Sequence, residues 1–146
     1  MILIWGGSSS VGQYALQILR HWGYTNLLAT ASKQHHELLK SYGARAVFDY
    51  RSPTVVEDIL SAAGEAGVPL VLDCIVSKEG SLKPIAKIAK KGSTIAALLP
   101  VIIRDASDTE APIYSMEVKD EADWAEGVDA RGVRTHFYLD VSPSYS

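Results

Sequence analysis

The chain has 146 residues, of which 47% are hydrophobic, 21% charged and 8% aromatic, and a formal net charge of −3. That length suits one domain burying roughly 68–70% of its unfolded surface, and the composition excludes disordered and collagen-like classes. No apolar run reaches the roughly 18 residues of a membrane-spanning helix, and a lone cysteine, Cys74, excludes an internal disulfide or a cysteine-based zinc cluster.

Charge is unevenly placed. Residues 1–100 carry ten Lys/Arg against seven Asp/Glu, whereas residues 101–146 carry four against ten, which predicts a solvated acidic surface on the C-terminal part. Lys90-Lys91 is the one adjacent basic pair, so no basic stripe for nucleic acid is expected. The opening Met1-Ile2-Leu3-Ile4-Trp5 lacks the basic region of a secretory leader. A cytoplasmic protein with no membrane partner is expected.

In chain order, Ile2–Trp5 is a short apolar run closed by Gly6-Gly7, the pattern of a parallel strand buried on both faces. Val11, Ala15, Ile18, Leu19 and Trp22 recur at helical spacing, and Gly23 stops that helix. Leu27–Ala31 reads as a second strand; Lys33–Tyr42 reads as a second helix, with Ser32 as N-cap and Gly43 as stop. Ala46–Phe48 is a third strand. Pro53 opens a helix whose inward stripe is Val55, Ile59 and Ala62, ended by Gly64 and Gly67. Val68–Leu72 gives the fourth strand, with Pro69 near its start, Ser81–Lys91 the fourth helix, and Ser93–Leu99 the fifth strand. Strands alternating with helices over short connections predict an α/β, doubly wound parallel sheet in a single three-layer domain. Residues 1–100 form its βαβ core, residues 101–132 read as an acidic irregular excursion, and Val133–Val141 as a sixth strand.

The first turn, Gly6-Gly7-Ser8-Ser9-Ser10-Val11-Gly12, follows a strand and opens a helix. A dinucleotide site needs a tight turn there, backbone open to a pyrophosphate, and a small residue where helix meets sheet. Gly6 suits the turn and Gly12 the packing, while Ser8, Ser9 and Ser10 are small and bring hydroxyls; free N–H groups at the helix start would face the phosphates. The middle glycine of the usual fingerprint is Ser9, and a plain glycine-serine turn is the alternative reading. The end of strand two says more. An NAD site places an acid there, roughly 20 residues beyond the glycines, to hold the ribose 2′-hydroxyl. Here the stretch is Ala29-Thr30-Ala31-Ser32-Lys33, with no acid. Ser32 and Lys33 can donate to a 2′-phosphate that a carboxylate would repel, which favours NADP(H); the plainer alternative is a helix cap beside a solvated lysine.

These motifs, with Tyr42-Gly43-Ala44, Phe48-Asp49-Tyr50-Arg51 and Leu72-Asp73-Cys74-Ile75, resemble the Rossmann cofactor domain of medium-chain dehydrogenase/reductases. Within that superfamily the chain is most similar to the zinc-free quinone-oxidoreductase branch and to fungal trans-acting enoyl reductases. The resemblance implies NADPH as hydride donor. It would place Ser9 and Val11 along the pyrophosphate; Ser32, Lys33 and Tyr50 around the 2′-phosphate; Cys74 and Ile75 near the adenine-ribose and nicotinamide side; and Leu98, Leu99 and Pro100 beside the nicotinamide. Superfamily members also carry a GroES-like catalytic domain, which has no counterpart in these 146 residues. The chain is therefore expected to bind nucleotide with little or no turnover alone, its small-molecule substrate being held elsewhere in a full-length enzyme. No catalytic residue and no metal ligand is assigned.

Other constellations fail on spacing. No tyrosine has a lysine four residues on, no glycine-lysine-Ser/Thr follows the first turn, and no Gly-x-Ser-x-Gly elbow occurs. His21, His35, His36 and His136 are too scattered for a metal site. Asp73, ending strand four, is expected to order its loop by accepting local N–H groups. Two other function classes stay open: a non-catalytic nucleotide-sensing or interaction domain, and a methyltransferase using S-adenosylmethionine, although the latter normally has an acid ending strand two. The apolar face of residues 133–141 (Phe137, Tyr138, Leu139) predicts a homodimer through that last strand.

Overall fold

The computed structural model describes residues 1–99, 101–104, 106–111, 113–115 and 117–133. Six strands form one sheet: β1 (Ile2–Trp5), β2 (Leu27–Thr30), β3 (Ala46–Phe48), β4 (Leu70–Asp73), β5 (Thr94–Ala97) and, last in the chain, Asp129–Gly132. Between β5 and that last strand a short antiparallel hairpin, β6 (Val101–Arg104) with β7 (Ile113–Ser115), stands apart, so the sixth sheet strand is β8. The order across the sheet is β3-β2-β1-β4-β5-β8, and every ladder in it is parallel. The order reverses at β1, so the crevice beyond the carboxyl ends of β1 and β4 is the place where a ligand of such a sheet binds.

Among the described residues the α-helices are α1 (Ser10–His21), α2 (His36–Ser41), α3 (Val55–Ala63) and α4 (Lys83–Ile88). They cover the two faces in pairs, and strand alternation decides which side chains each pair meets. Leu3 and Trp5 of β1 join the core with Val55 and Ile59 of α3 and Ile85 and Ile88 of α4. Ile2 and Ile4 join Leu16 of α1 and Leu39 of α2 on the opposite face. All four β1 side chains are buried, as expected of a central parallel strand.

Several predicted boundaries move for physical reasons. β4 starts at Leu70, since Pro69 has no N–H and only its carbonyl bonds, to Thr94 N at 2.8 Å. The α1 stripe is rotated: Gly12 and Leu16 face the sheet, with Ala15 and Leu19 beside them, whereas Val11 (49%), Ile18 (45%) and Trp22 (69%) are exposed. The fourth helix begins as a wide turn over Lys78–Leu82, closed by Leu82 N on Ser77 O at 2.9 Å, and ends at Ile88. The stretch 101–132, expected to be irregular, holds the hairpin, a helical turn (Val118–Asp120) and the sixth strand. Val118, buried, and Trp124, half-buried, tie that stretch to the core, and Ala130 is the inward residue of β8. Residues 134–141 of the sixth strand expected from sequence, and the dimer edge based on them, lie outside the described residues; β8 at 129–132 takes the sheet position that strand was to fill.

Candidate dinucleotide site

The turn after β1 is built almost entirely from backbone. Gly6 takes φ +84, a left-handed value that only glycine adopts freely. Its N–H donates to Thr30 Oγ1 at 3.0 Å, and Gly7 N donates to Thr30 O at 2.8 Å, which locks the turn to the end of β2. Ser9 is the N-cap of α1. Its hydroxyl donates to Gly6 O at 2.7 Å and accepts Gly12 N–H at 3.1 Å. The Ser9 side chain is thus committed to the turn and presents no free hydroxyl to a ligand. The backbone donors to protein acceptors from the turn into the helix start are Gly6, Gly7, Ser9, Gly12 and Gln13, which leaves the Ser8, Ser10 and Val11 N–H groups open at the start of the helix. Gly12 is where helix and turn touch. A Cβ there would stand 2.8 Å from Gly7 Cα and 3.0 Å from Gly7 C, and closer still to Gly6 O.

The ends of β2 and β3 form the next wall. Ser32 sits at the predicted N-cap position, yet its hydroxyl makes no capping bond; its carbonyl accepts His35 N at 3.0 Å instead. Ser32 and Tyr50 line the same crevice. The Ser32 hydroxyl, and after it the Arg51 guanidinium, holds the Tyr50 phenol below its ordinary value. Arg51 Nε donates to Tyr50 Oη at 3.2 Å, and its Cζ lies 5.3 Å from the ring centroid, a cation–π arrangement. Lys33 is exposed and forms no ion pair among the described residues. Ser32, Lys33, Gln34, Asp49 and Arg51 line one depression at this corner. Asp49, the carboxylate there, accepts Arg51 N–H on Oδ1 at 2.9 Å. Arg51 and Thr30 were not among the residues singled out from sequence. The adjacency of Tyr50 and Arg51 just past a strand was the available signal for Arg51; for the Thr30 hydroxyl, which faces Gly6 across strands, there was none.

A crevice of about 310 Å³ joins these parts, lined by Gly6 and Ser8 of the turn, Ser32 and Tyr50 on one side, and Ile75, Ser77 and Gly80 on the other. Ser10 and Val11 lie at the exposed start of α1. Cys74 is buried under the β4 end. Burial, with the Asp73 carboxylate beside it, pushes its thiol up to about 12 against a smaller opposing effect of the Ser9 side chain, so it is a packed residue with little thiolate at neutral pH. Past β5, Leu98 packs into the α1/α2 core with its N–H on Asp73 O at 3.1 Å, and Leu99 is 48% exposed. Pro100 lies outside the described residues. Among the described residues no group of three His, Cys, Asp or Glu side chains is placed to hold a metal ion. No helix among them is long and apolar enough to cross a membrane.

A six-stranded parallel sheet in this order, with a glycine turn capping the first helix at the point of reversal, defines a Rossmann-type dinucleotide-binding domain. The chain belongs to the zinc-binding dehydrogenase family, whose sequence pattern matches residues 10–98. It is 47% identical over 91 residues to the trans-enoyl reductase tndF of Aspergillus flavipes, which covers 62% of this chain and 26% of that protein. Against the trans-enoyl reductase tazE of Aspergillus terreus it is 47% identical over 98 residues, covering 65% of this chain and 31% of tazE. The crystal structure of the CurK enoyl reductase superposes with a TM-score of 0.71 at 20% identity, over 97% of this chain and 38% of that one. The chain thus spans about a quarter to a third of the length of these two sequence relatives.

Proposed function

We propose that this chain is the NADP(H)-binding part of a cytoplasmic, zinc-independent reductase that delivers hydride to an enoyl thioester or a quinone. The observation that carries the reading is the corner beyond β2. It has no carboxylate on that strand's end, and a hydroxyl, an ammonium and a guanidinium (Ser32, Lys33, Arg51) gather around one depression. Such a set neutralises and hydrogen-bonds a ribose 2′-phosphate; Asp49 lines the same depression, with one carboxylate oxygen on Arg51 N–H. The pyrophosphate would lie on the open N–H groups of Ser8, Ser10 and Val11, and the adenosine between Tyr50 and Ile75. Leu98 and Leu99 would border the nicotinamide ring. The reductase names of the relatives support the class of reaction, and their greater length supports a substrate site contributed by other parts of a full-length protein.

Titration calorimetry of the chain with NADPH, NADH and S-adenosylmethionine tests this. NADPH is expected to bind at least about tenfold more tightly than NADH, the scale of one charge-assisted hydrogen bond, with S-adenosylmethionine silent. Binding of S-adenosylmethionine alone, or of NADH in preference, overturns the proposal.

A further inference from the structure

We propose that Asp73 and Ser81 are positioning residues for the adenosine half of the nucleotide: together they clasp the loop after β4, hold Val76 in a left-handed backbone conformation, and so fix Ile75 as one wall of the crevice. The inference rests on the nucleotide reading above and assigns new residues to it.

Val76 has φ +53 and is the one non-glycine with positive φ among the described residues. A β-branched residue resists that conformation because its Cβ crowds the following carbonyl oxygen, so something must hold it there. Its side chain is fully buried against the α3/α4 face and has no room to swing out. Two buried side chains hold it there. Asp73 Oδ1 accepts Ile75 N–H at 3.0 Å and Val76 N–H at 2.9 Å, while Oδ2 accepts the Ser81 hydroxyl at 2.7 Å. The Ser81 oxygen in turn accepts Ser77 N–H at 2.9 Å, joining the two turns of the loop. Asp73 and Ser81 are both fully buried.

Ile75 is caught in the middle. With Cys74 N on Trp5 O at 3.0 Å on one side and the Val76 turn on the other, its side chain is directed across the opening onto Gly6. A Cβ on Gly6 would stand 2.5 Å from Ile75 Cγ1 and 2.7 Å from Cδ1. Ile75 nevertheless stays 39% exposed, facing the same crevice as Tyr50. Strain held by buried groups on both sides of one half-exposed apolar residue in a cleft is the pattern of a preorganised ligand wall.

The test is a double-mutant cycle in the 146-residue chain, with 2′,5′-ADP as probe and calorimetry as readout. Ser81→Ala is expected to weaken 2′,5′-ADP binding about fivefold to tenfold, the equilibrium equivalent of one lost buried hydrogen bond. In an Ile75→Ala background the same change is expected to alter affinity by less than about twofold, because the clasp acts through Ile75. The nuclear Overhauser cross-peak between the Ile75 δ1 methyl and the Gly6 α-protons should be present in the free chain and weakened in Ser81→Ala; a purely structural role moves stability but not this pairing of effects. Asp73→Asn, which keeps the side chain's shape, is the second variant read by the same cycle should Ser81→Ala lose its fold. Unchanged affinity in Ser81→Ala, or losses that add fully in the double variant, overturns the proposal while leaving the nucleotide reading in place. Failure of the unmodified chain to bind 2′,5′-ADP overturns the nucleotide reading and the clasp's role with it.

Discussion

Replacing Gly12 with alanine sets two effects against each other, and the structure decides the sign. Gly12 is the third residue of α1, where alanine's helix propensity alone would stabilise by about 1 kcal/mol. The new methyl, however, would meet backbone rather than side chain, 2.8 Å from Gly7 Cα, 3.0 Å from Gly7 C and closer to Gly6 O. Backbone has no rotamer to change, so either α1 moves off the sheet or the turn does. Overpacking of this kind costs about 1–3 kcal/mol, and contact with several backbone atoms belongs at the upper end. The net expectation is a loss of about 2 kcal/mol, which lowers Tm by about 4–8 °C for a chain of this size. Thermal unfolding followed by circular dichroism at 222 nm reads the shift, and calorimetry on the same sample should show NADPH binding weakened, since Gly6, Ser8 and Ser9 share the displaced turn. A Tm equal to or above that of the unmodified chain would mean the helix start is not pressed against the turn, and the role given to Gly12 would fall.

Three further outcomes are expected. Lys33→Ala should weaken NADPH binding by about 1–3 kcal/mol and leave NADH nearly unchanged, because the ammonium has only the extra phosphate to meet; equal losses for both cofactors would contradict this. Tyr50 should ionise below the ordinary tyrosine value in a titration at 295 nm, and its midpoint should rise on Ser32→Ala and, to a smaller extent, on Arg51→Met, since both groups favour the phenolate; a midpoint unmoved by either change would refute the cluster. Burial raises the Asp73 carboxyl above its ordinary 3.8, so the native state takes up a proton before the unfolded chain does, and this group's contribution to stability falls as pH rises from about 4 through its folded value. Denaturant unfolding should therefore show the stability difference between the native chain and Asp73→Asn moving in favour of asparagine on that rise, and a difference that is flat or moves the other way would count against it.

Much of the architecture could be read from the chain because the central strands are apolar throughout and are punctuated by glycines. Ile2–Trp5 has no polar side to mislead, and Gly6, Gly23, Gly43 and Gly92 all take positive φ at the ends of elements. The missing acid at the end of strand two was equally visible. The last strand was not, because Asp129-Ala130-Arg131-Gly132 buries only Ala130 and spends its charges on each other: Arg131 Nε donates to Asp129 Oδ2 at 2.7 Å. A strand of that composition, last in the sheet among the described residues, carries no apolar run to mark it in the sequence. The α1 stripe misled because Val11, Ile18 and Trp22 keep helical spacing on the outward side, whereas Gly12, invisible to a count of apolar residues, marks the inward one. At the site, Ser32 read as a cap because serine before a helix usually is one; its hydroxyl makes no capping bond, and the residue lines one crevice with Tyr50, a juxtaposition of strand ends that no local rule encodes. The left-handed Val76 is hidden for the opposite reason, since valine is the residue least expected there.

The most direct test of the account is a crystal structure of the chain with NADPH bound. The ribose 2′-phosphate is expected within hydrogen-bonding distance of Ser32, Lys33 and Arg51, and the pyrophosphate on the N–H groups after Gly7. A 2′-phosphate pointing into solvent, or a nucleotide seated away from the β1/β4 crevice, would contradict it.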